Sequence, residues 1–322
     1  MTMIETHVLT KAFKTRQGVV EAVRGVDLEV REGEIFGFLG PNGAGKTTTM
    51  RMLATLLPPT SGQAKVAGYD LLREAAQVRK HIGYVSQTGG AEPYATAHEN
   101  LVLQGRLYGM EKQAALARAN ELIHALELES FAHRLVNSYS SGQHRRLDLA
   151  MGMMHRPALL FLDEPTTGLD PQSRARLWEE VKRLSASGTT IFLTTHYLDE
   201  ADSLCDRLAI IDDGRIVREG SPLALKQQVA GDSIALGLDI HNGTVAQIKD
   251  LLQAQPFVRE IHDMKNGVQL YVERGDEALP TVMRMLDSAH VPIQTVTLAR
   301  PSLDDVFLHF TGRSLRESSN AA

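Results

Sequence analysis

The sequence predicts a large α/β domain over residues 1–225 and a small α+β domain over 231–312, and three observations point there. From Val8 to about Gly220 short apolar runs alternate with helical patterns, as in a mainly parallel sheet covered by helices. The strand-like run Ile35-Phe36-Gly37-Phe38-Leu39 passes through a glycine-rich segment, Gly40 to Thr47, into a helix-like stretch from Thr48 to Leu57. After Ser221-Pro222 the pattern changes to strand, helix, two strands, helix and strand, the βαββαβ order of a ferredoxin-like domain.

Between Gln87 and Tyr139 the strand signal disappears. The stretches from Thr96 to Met110 and from Glu111 to Leu128 are helical, with Leu116, Ala119, Ile123 and Leu126 on one face, so an inserted helical subdomain is expected over about residues 88–150. In the second domain the expected strands are Ile234 to Ile240, Val258 to His262, Val268 to Val272 and Val291 to Leu298, with helices from Thr244 to Gln255 and Ala278 to Ser288. An amphipathic segment, Pro301 to Leu308, closes it, with Ser302 as the helix cap and Leu303, Val306 and Phe307 facing one way. The polar residues 313–322 read as a frayed tail.

Composition limits the function. The 322 residues are 43% hydrophobic and 23% charged, which excludes disordered and fibrous classes. Runs such as Ala158 to Leu162 and Thr190 to Leu193 are strand-length, and none approaches the ~20 apolar residues of a membrane span. The first residues, Met1 to Thr6, lack the basic and apolar parts of a secretion signal, so a cytoplasmic location is expected. A net charge of -5 argues against a nucleic-acid partner. The single cysteine, Cys205, reads as core filling, the scattered His241, His262 and His290 as solvated, and Arg145-Arg146 as a solvated helix face.

The segment Gly40-Pro41-Asn42-Gly43-Ala44-Gly45-Lys46-Thr47 is a phosphate cradle of the P-loop kind. Glycines let successive backbone N–H groups wrap an anion closely, and the helix that follows adds its positive N-terminal end. Lys46 would reach the terminal phosphates of a nucleotide, and the Thr47 hydroxyl, a hard oxygen ligand, would hold magnesium. Farther along, Leu159-Leu160-Phe161-Leu162-Asp163-Glu164-Pro165 is an apolar strand ending in two carboxylates. Asp163 is the candidate for orienting the magnesium shell and Glu164 the candidate general base for an attacking water; a solvated strand-to-turn exit is the plainer alternative. Thr194-Thr195-His196 ends another buried run, where His196 is either a structural histidine or a phosphate contact. Ser140-Ser141-Gly142 precedes a helix through Leu147, Ala150 and Met151, and so offers a second helix N-terminus to an anion, or is an ordinary cap.

Together Gly40 to Thr48, Gln87, Tyr139-Ser140-Ser141-Gly142-Gln143, Leu159 to Glu164, Leu169-Asp170 and His196 resemble the ATPase domain of the ATP-binding cassette family over about residues 5–220. The resemblance implies a head-to-tail homodimer with two sandwiched ATP molecules, each touched by the cradle of one chain and Tyr139 to Gln143 of the other. It also implies that Phe13 stacks on adenine, Gln87 joins the metal and water shell, Asp170 communicates across the dimer and His196 holds the terminal phosphate. Phe13 could equally be a core aromatic, with Val20 or Ala22 nearer the base. Ser141 stands where the family has glycine, and hydrolysis would be slowed if the backbone there needs a glycine-only conformation.

Glu99-Asn100-Leu101, the extension Arg145-Arg146-Leu147-Asp148-Leu149-Ala150 and the terminal Pro301 to Leu308 resemble a narrower group, the ATP-binding subunits of daunorubicin-resistance-type exporters. That implies two such subunits at the cytoplasmic face of the membrane beneath two separately encoded permease subunits, with a permease helix seated near Gln87 to Tyr94. A soluble cassette ATPase, for instance in cofactor assembly, is the alternative. Long coiled coils and a second cassette, which mark other soluble members, are not found in the sequence.

Overall fold

The computed structural model describes residues 1–16, 18–229, 231–238, 249, 251–264, 267–289 and 291–311. They form two compact units divided between Ser221 and Pro222. The first holds two sheets, and this differs from the single mainly parallel sheet that the alternating pattern suggests.

One sheet is antiparallel in the order β2-β1-β4-β5, from β1 (Thr2–Thr15), β2 (Gly18–Arg31), β4 (Ser61–Val66) and β5 (Tyr69–Asp70). Strands β1 and β2 are long, paired from Thr2↔Arg31 to Thr15↔Gly18, and broken by several register shifts that blur their period of two in the sequence. The other sheet runs β10-β9-β3-β8-β7-β6, from β3 (Ile35–Leu39), β6 (Ile82–Val85), β7 (Leu159–Asp163), β8 (Thr190–Thr195), β9 (Arg207–Asp212) and β10 (Arg215–Gly220). Only the β9–β10 pair is antiparallel. Its central strands β3, β7 and β8 are buried at every position, which is why they read as unbroken apolar runs. Phe192 stacks on Phe36 at 5.8 Å and meets Phe161 edge-on at 5.6 Å, fixing these three strands to one another. Gly37 leaves the room that Cys205 Sγ fills, since a Cβ there would overlap the sulfur, so the lone cysteine is core filling as expected.

The register decides where chemistry can occur. Leu39 lies opposite Thr195, Asp163 opposite Thr194, and Val85 opposite Leu162. Gly40, Ser86, Glu164 and His196 therefore leave the same carboxyl edge of the sheet, where ligands bind in open α/β folds.

Helix α1 (Lys46–Leu53) starts two residues earlier and ends four residues earlier than the sequence suggests. α2 (Ala75–His81) follows β5, and the inserted helices are α3 (Ala97–Leu107) and α4 (Lys112–Ala125). α3 opens with a full capping box between Thr96 and Glu99, and α4 buries Ala115, Arg118, Ala119, Leu122 and Ile123. α5 (Ser141–Gly152), α6 (Pro171–Ala186) and α7 (Leu198–Leu204) complete this unit.

The second unit opens with α8 (Pro222–Gln228) and builds a four-stranded antiparallel sheet in the order β12-β13-β11-β14, from β11 (Asp232–Leu238), β12 (Val258–Met264), β13 (Gly267–Val272) and β14 (Ile293–Ala299). Numbered within this domain the order is 2-3-1-4, the ferredoxin-like arrangement. α9 (Gly275–Ser288) packs Ala278, Val282 and Leu286 onto Ile234, Leu236 and Leu270. α10 (Leu303–Thr311) is capped by Ser302 and buries Leu303, Val306 and Phe307. Most of the expected helix from Thr244 to Gln255, together with His241, His290 and the tail 313–322, lies outside the described residues.

Candidate functional site

The loop after β3 closes on itself through its own backbone. Gly43 and Gly45 hold φ of 81° and 100°, which only glycine adopts freely, and a Cβ on Gly40 or Gly45 would overlap the carbonyl of Ile211 or Ala22. Within the loop the Ala44 amide donates to the Pro41 carbonyl at 3.2 Å, and the Thr49 amide donates to the Gly45 carbonyl at 2.9 Å as α1 begins. Lys46 Nζ donates to the carbonyls of Gly40 at 2.8 Å and Pro41 at 3.0 Å, and lies 3.4 Å from Glu164 Oε1. Burial lowers the ammonium pKa below its ordinary value, against the opposing pull of Glu164 and Asp163.

Around this loop stand the ends of the neighbouring strands. Asp163 Oδ1 accepts from Thr47 Oγ1 at 2.9 Å and Thr194 Oγ1 at 2.7 Å, and Oδ2 accepts from Tyr84 at 3.3 Å. Glu164 Oε2 accepts from Gln87 Nε2 at 3.1 Å and Thr167 Oγ1 at 3.3 Å. His196 Nδ1 is 3.3 Å from the same oxygen but is not aligned with it as a hydrogen bond, so this buried ring nitrogen is left without a bonded partner beside the cavity. Burial pushes the Glu164 carboxyl up, but His196 and Lys46 outweigh it and hold the pKa at about 2. Gly43, Gly45, Lys46, Thr47, Thr48, Gln87, Glu164 and His196 line one open cavity of about 500 Å³ with Ala22, Asn42 and Thr167.

Glu164 has a φ of 46°, a strained value for a residue with a side chain. Both sides of its peptide are held. Its amide donates to the Thr194 carbonyl at 3.1 Å, and its carbonyl accepts from Arg145 at 3.3 Å.

Other residues named from the sequence lie apart from this cavity. Ser140 is the N-cap of α5 and forms a capping box with Gln143, leaving the amides of Ser141 and Gly142 without intrahelical acceptors. Ser141 is in ordinary right-handed helical backbone, so the anticipated need for a glycine conformation there is not met. The restricted position is Gly142, where a Cβ would come within 2.7 Å of Ser173 Oγ. Asp170 caps α6, accepting from the Ser173 amide at 2.9 Å. Phe13 is exposed, pairs with Val20 and carries Lys11 over its ring at 5.2 Å; Ala22, not Phe13, reaches the cavity wall.

Arg145, expected to be solvated, is 6% exposed and donates to the carbonyls of Ser86 at 2.7 Å and Gln87 at 2.9 Å. Its sequence signal was misleading because α5 turns charged residues inward: Arg145 and Asp148, three apart, are both buried. Arg146 is half-buried over the Phe131 ring.

A glycine cradle, a buried lysine, paired carboxylates and a histidine on one sheet edge define a nucleotide-binding site of the P-loop kind, and comparison with known proteins assigns the class. Residues 23–167 match the ABC transporter family, and residues 220–311 match the C-terminal domain of DrrA1-3-like ATP-binding proteins. The chain belongs to the ABC transporter family as an ATP-hydrolysing subunit, in the branch of the daunorubicin and doxorubicin resistance ATP-binding proteins. It is 41% identical to the daunorubicin resistance ATP-binding protein DrrA3 of Streptomyces coeruleorubidus over 98% of each chain. It is also 39% identical to the Nod factor export ATP-binding protein I of Burkholderia lata, over 92% of this chain and 93% of that one. A solved dimeric ATP-binding cassette in a post-hydrolysis state, bound to ADP and Pi, superposes with a TM-score of 0.63 at 28% identity, covering 68% of this chain and 98% of that one.

Proposed function

We propose that this chain powers an exporter of drug-like or other amphiphilic molecules by hydrolysing ATP in a head-to-tail homodimer seated on two separately encoded permease subunits at the cytoplasmic face of the membrane. The observation that carries the reading is the convergence of Lys46, Thr47, Gln87, Asp163, Glu164 and His196 on the cradle cavity. Among the described residues no helix is long and apolar enough to cross a membrane.

Triphosphate would lie on the amides of Asn42 to Thr48, with Lys46 turning from the Gly40 and Pro41 carbonyls to the terminal phosphates. The Thr47 hydroxyl, the Gln87 amide oxygen and the Asp163 carboxylate are hard oxygen donors that fit magnesium. When bound, that ion neutralises charge on the phosphates. Glu164, kept ionised beside the Lys46 ammonium, takes the proton of the attacking water, and the unbonded His196 Nδ1 contacts the terminal phosphate. The free amides of Ser141 and Gly142 do not face this cavity within one chain, so a second chain would supply them; the dimeric state of the superposed cassette supports that arrangement.

Recovery of this chain from its native membranes in mild detergent tests the assignment. A multi-span protein co-purifying in equal amount is expected. Recovery in the soluble fraction alone, with no membrane partner, would overturn it.

A further inference from the structure

We infer that Arg145, supported by Asp148, is a positioning residue of the hydrolytic site, holding the Glu164 peptide in its left-handed turn and fastening it, with the Gln87 loop, to the helix that begins at Ser141. The inference rests on the reading of Glu164 as the general base.

The geometry is that of a strap. One nitrogen of the Arg145 guanidinium donates to Ser86 O at 2.7 Å, and the other donates to Gln87 O at 2.9 Å and Glu164 O at 3.3 Å. Three backbone carbonyls from two strand exits thus converge on one planar fork. Asp148 lies one turn farther along α5, with Oδ2 3.8 Å from Arg145, and its Oδ1 accepts from the Gly90 amide at 3.1 Å. Gly89, with φ of 74°, lets the loop pass against Asp148, where a Cβ would come within 2.7 Å of the carboxylate. The loop 86–90 is therefore held at both ends from a single turn of α5.

This arrangement does more than fill space. Glu164 occupies a backbone conformation that persists only where neighbours over-determine it: the Thr194 carbonyl and hydroxyl accept from its amide, and its carbonyl accepts from the local Thr167 amide at 3.3 Å and from Arg145, the one restraint that comes from α5. Arg145 is also one turn beyond Ser141, the residue whose free amide would meet a partner's nucleotide. A displacement of that helix start is passed by one side chain to the peptide that carries the base and to the loop that carries Gln87. A lysine keeps the charge but has no planar fork to span three carbonyls.

The test uses the full chain and its Arg145→Met, Arg145→Lys, Asp148→Asn and Glu164→Gln variants, reading kcat and KM for ATP hydrolysis and the Kd of a fluorescent ATP analogue. A misplaced reacting group costs about 100-fold, so Arg145→Met is expected to lower kcat by about that factor with KM and Kd within about threefold of the parent. Arg145→Lys should recover part of the loss, about tenfold, through its retained charge. A parental kcat in Arg145→Met, or a loss of kcat matched by an equal loss in Kd, would overturn the proposal. Should Arg145→Met fail to fold, Arg145→Lys and Asp148→Asn decide on the same terms. Glu164→Gln hydrolysing at the parental rate would instead remove the reading of Glu164 as the base.

Discussion

Adding a methyl at Gly142 and removing the side chain of Ser141 separate the roles of these two neighbouring positions at the start of α5. A Cβ on Gly142 would stand 2.7 Å from Ser173 Oγ and 3.0 Å from Ser173 Cβ. Ser173 cannot retreat freely, because its hydroxyl donates to Asp170 Oδ2 at 2.6 Å and its amide donates to the other oxygen of that cap. Overpacking of this kind costs about 1–3 kcal/mol. For a domain of this size that corresponds to a melting temperature lower by about 2–12 °C. The same displacement moves the start of α5, so hydrolysis is expected to fall about tenfold or more. Ser141, by contrast, is already helical, and Ser141→Gly relieves no strain; it loosens the first turn by about 0.5–1 kcal/mol and gives no gain in rate. The assays are thermal unfolding and steady-state ATP hydrolysis of the full chain. A Gly142→Ala variant that melts and turns over like the parent, or a Ser141→Gly variant several-fold faster, would refute this reasoning.

The remaining expectations concern single side chains. Glu164→Gln should lower hydrolysis by about 10²–10⁴-fold. It should also destabilise the nucleotide-free chain near neutral pH. The native carboxyl is held from 4.5 down to about 2, and screening in an open cavity reduces that to about 1–2 kcal/mol. Because the native pKa is the depressed one, this stability is whole above 4.5 and fades as pH falls toward about 2, so the gap in melting temperature should narrow with acidification. A gap that widens would contradict the assignment. Phe13→Ala should weaken ATP binding by less than about threefold, since a stacked base is worth about 1–3 kcal/mol and Phe13 does not reach the cavity wall; titration showing a tenfold loss would reinstate it as the stacking residue. Burial pushes the Cys205 thiol well above its ordinary range, so thiol reagents should label it only after denaturation, and rapid labelling of the native chain would show the core assignment to be mistaken.

The placement of the cradle, the paired carboxylates and His196 is legible in the sequence because each is a short segment at the end of a strand that is apolar throughout. The ferredoxin-like order was legible for a similar reason, since strand and helix periods alternate cleanly there. The features that the sequence does not display depend on distant neighbours. The irregular pairing of β1 with β2 hides an antiparallel sheet inside an apparently parallel pattern. Arg145 and Asp148 look like a polar helix face until the fold brings Ser86, Gln87, Gly90 and Glu164 against them. The side chain of Ser173, thirty-one residues away in sequence, is what makes Gly142 a restricted position, and no local pattern records it.

In the proposed mechanism two copies of this chain close on ATP with Glu164 poised to hydrolyse it. Gel filtration of the purified Glu164→Gln variant with and without saturating Mg-ATP tests this most directly. A monomer without nucleotide and a stable dimer with it are expected; a variant that binds Mg-ATP yet still elutes as a monomer would contradict the closed sandwich.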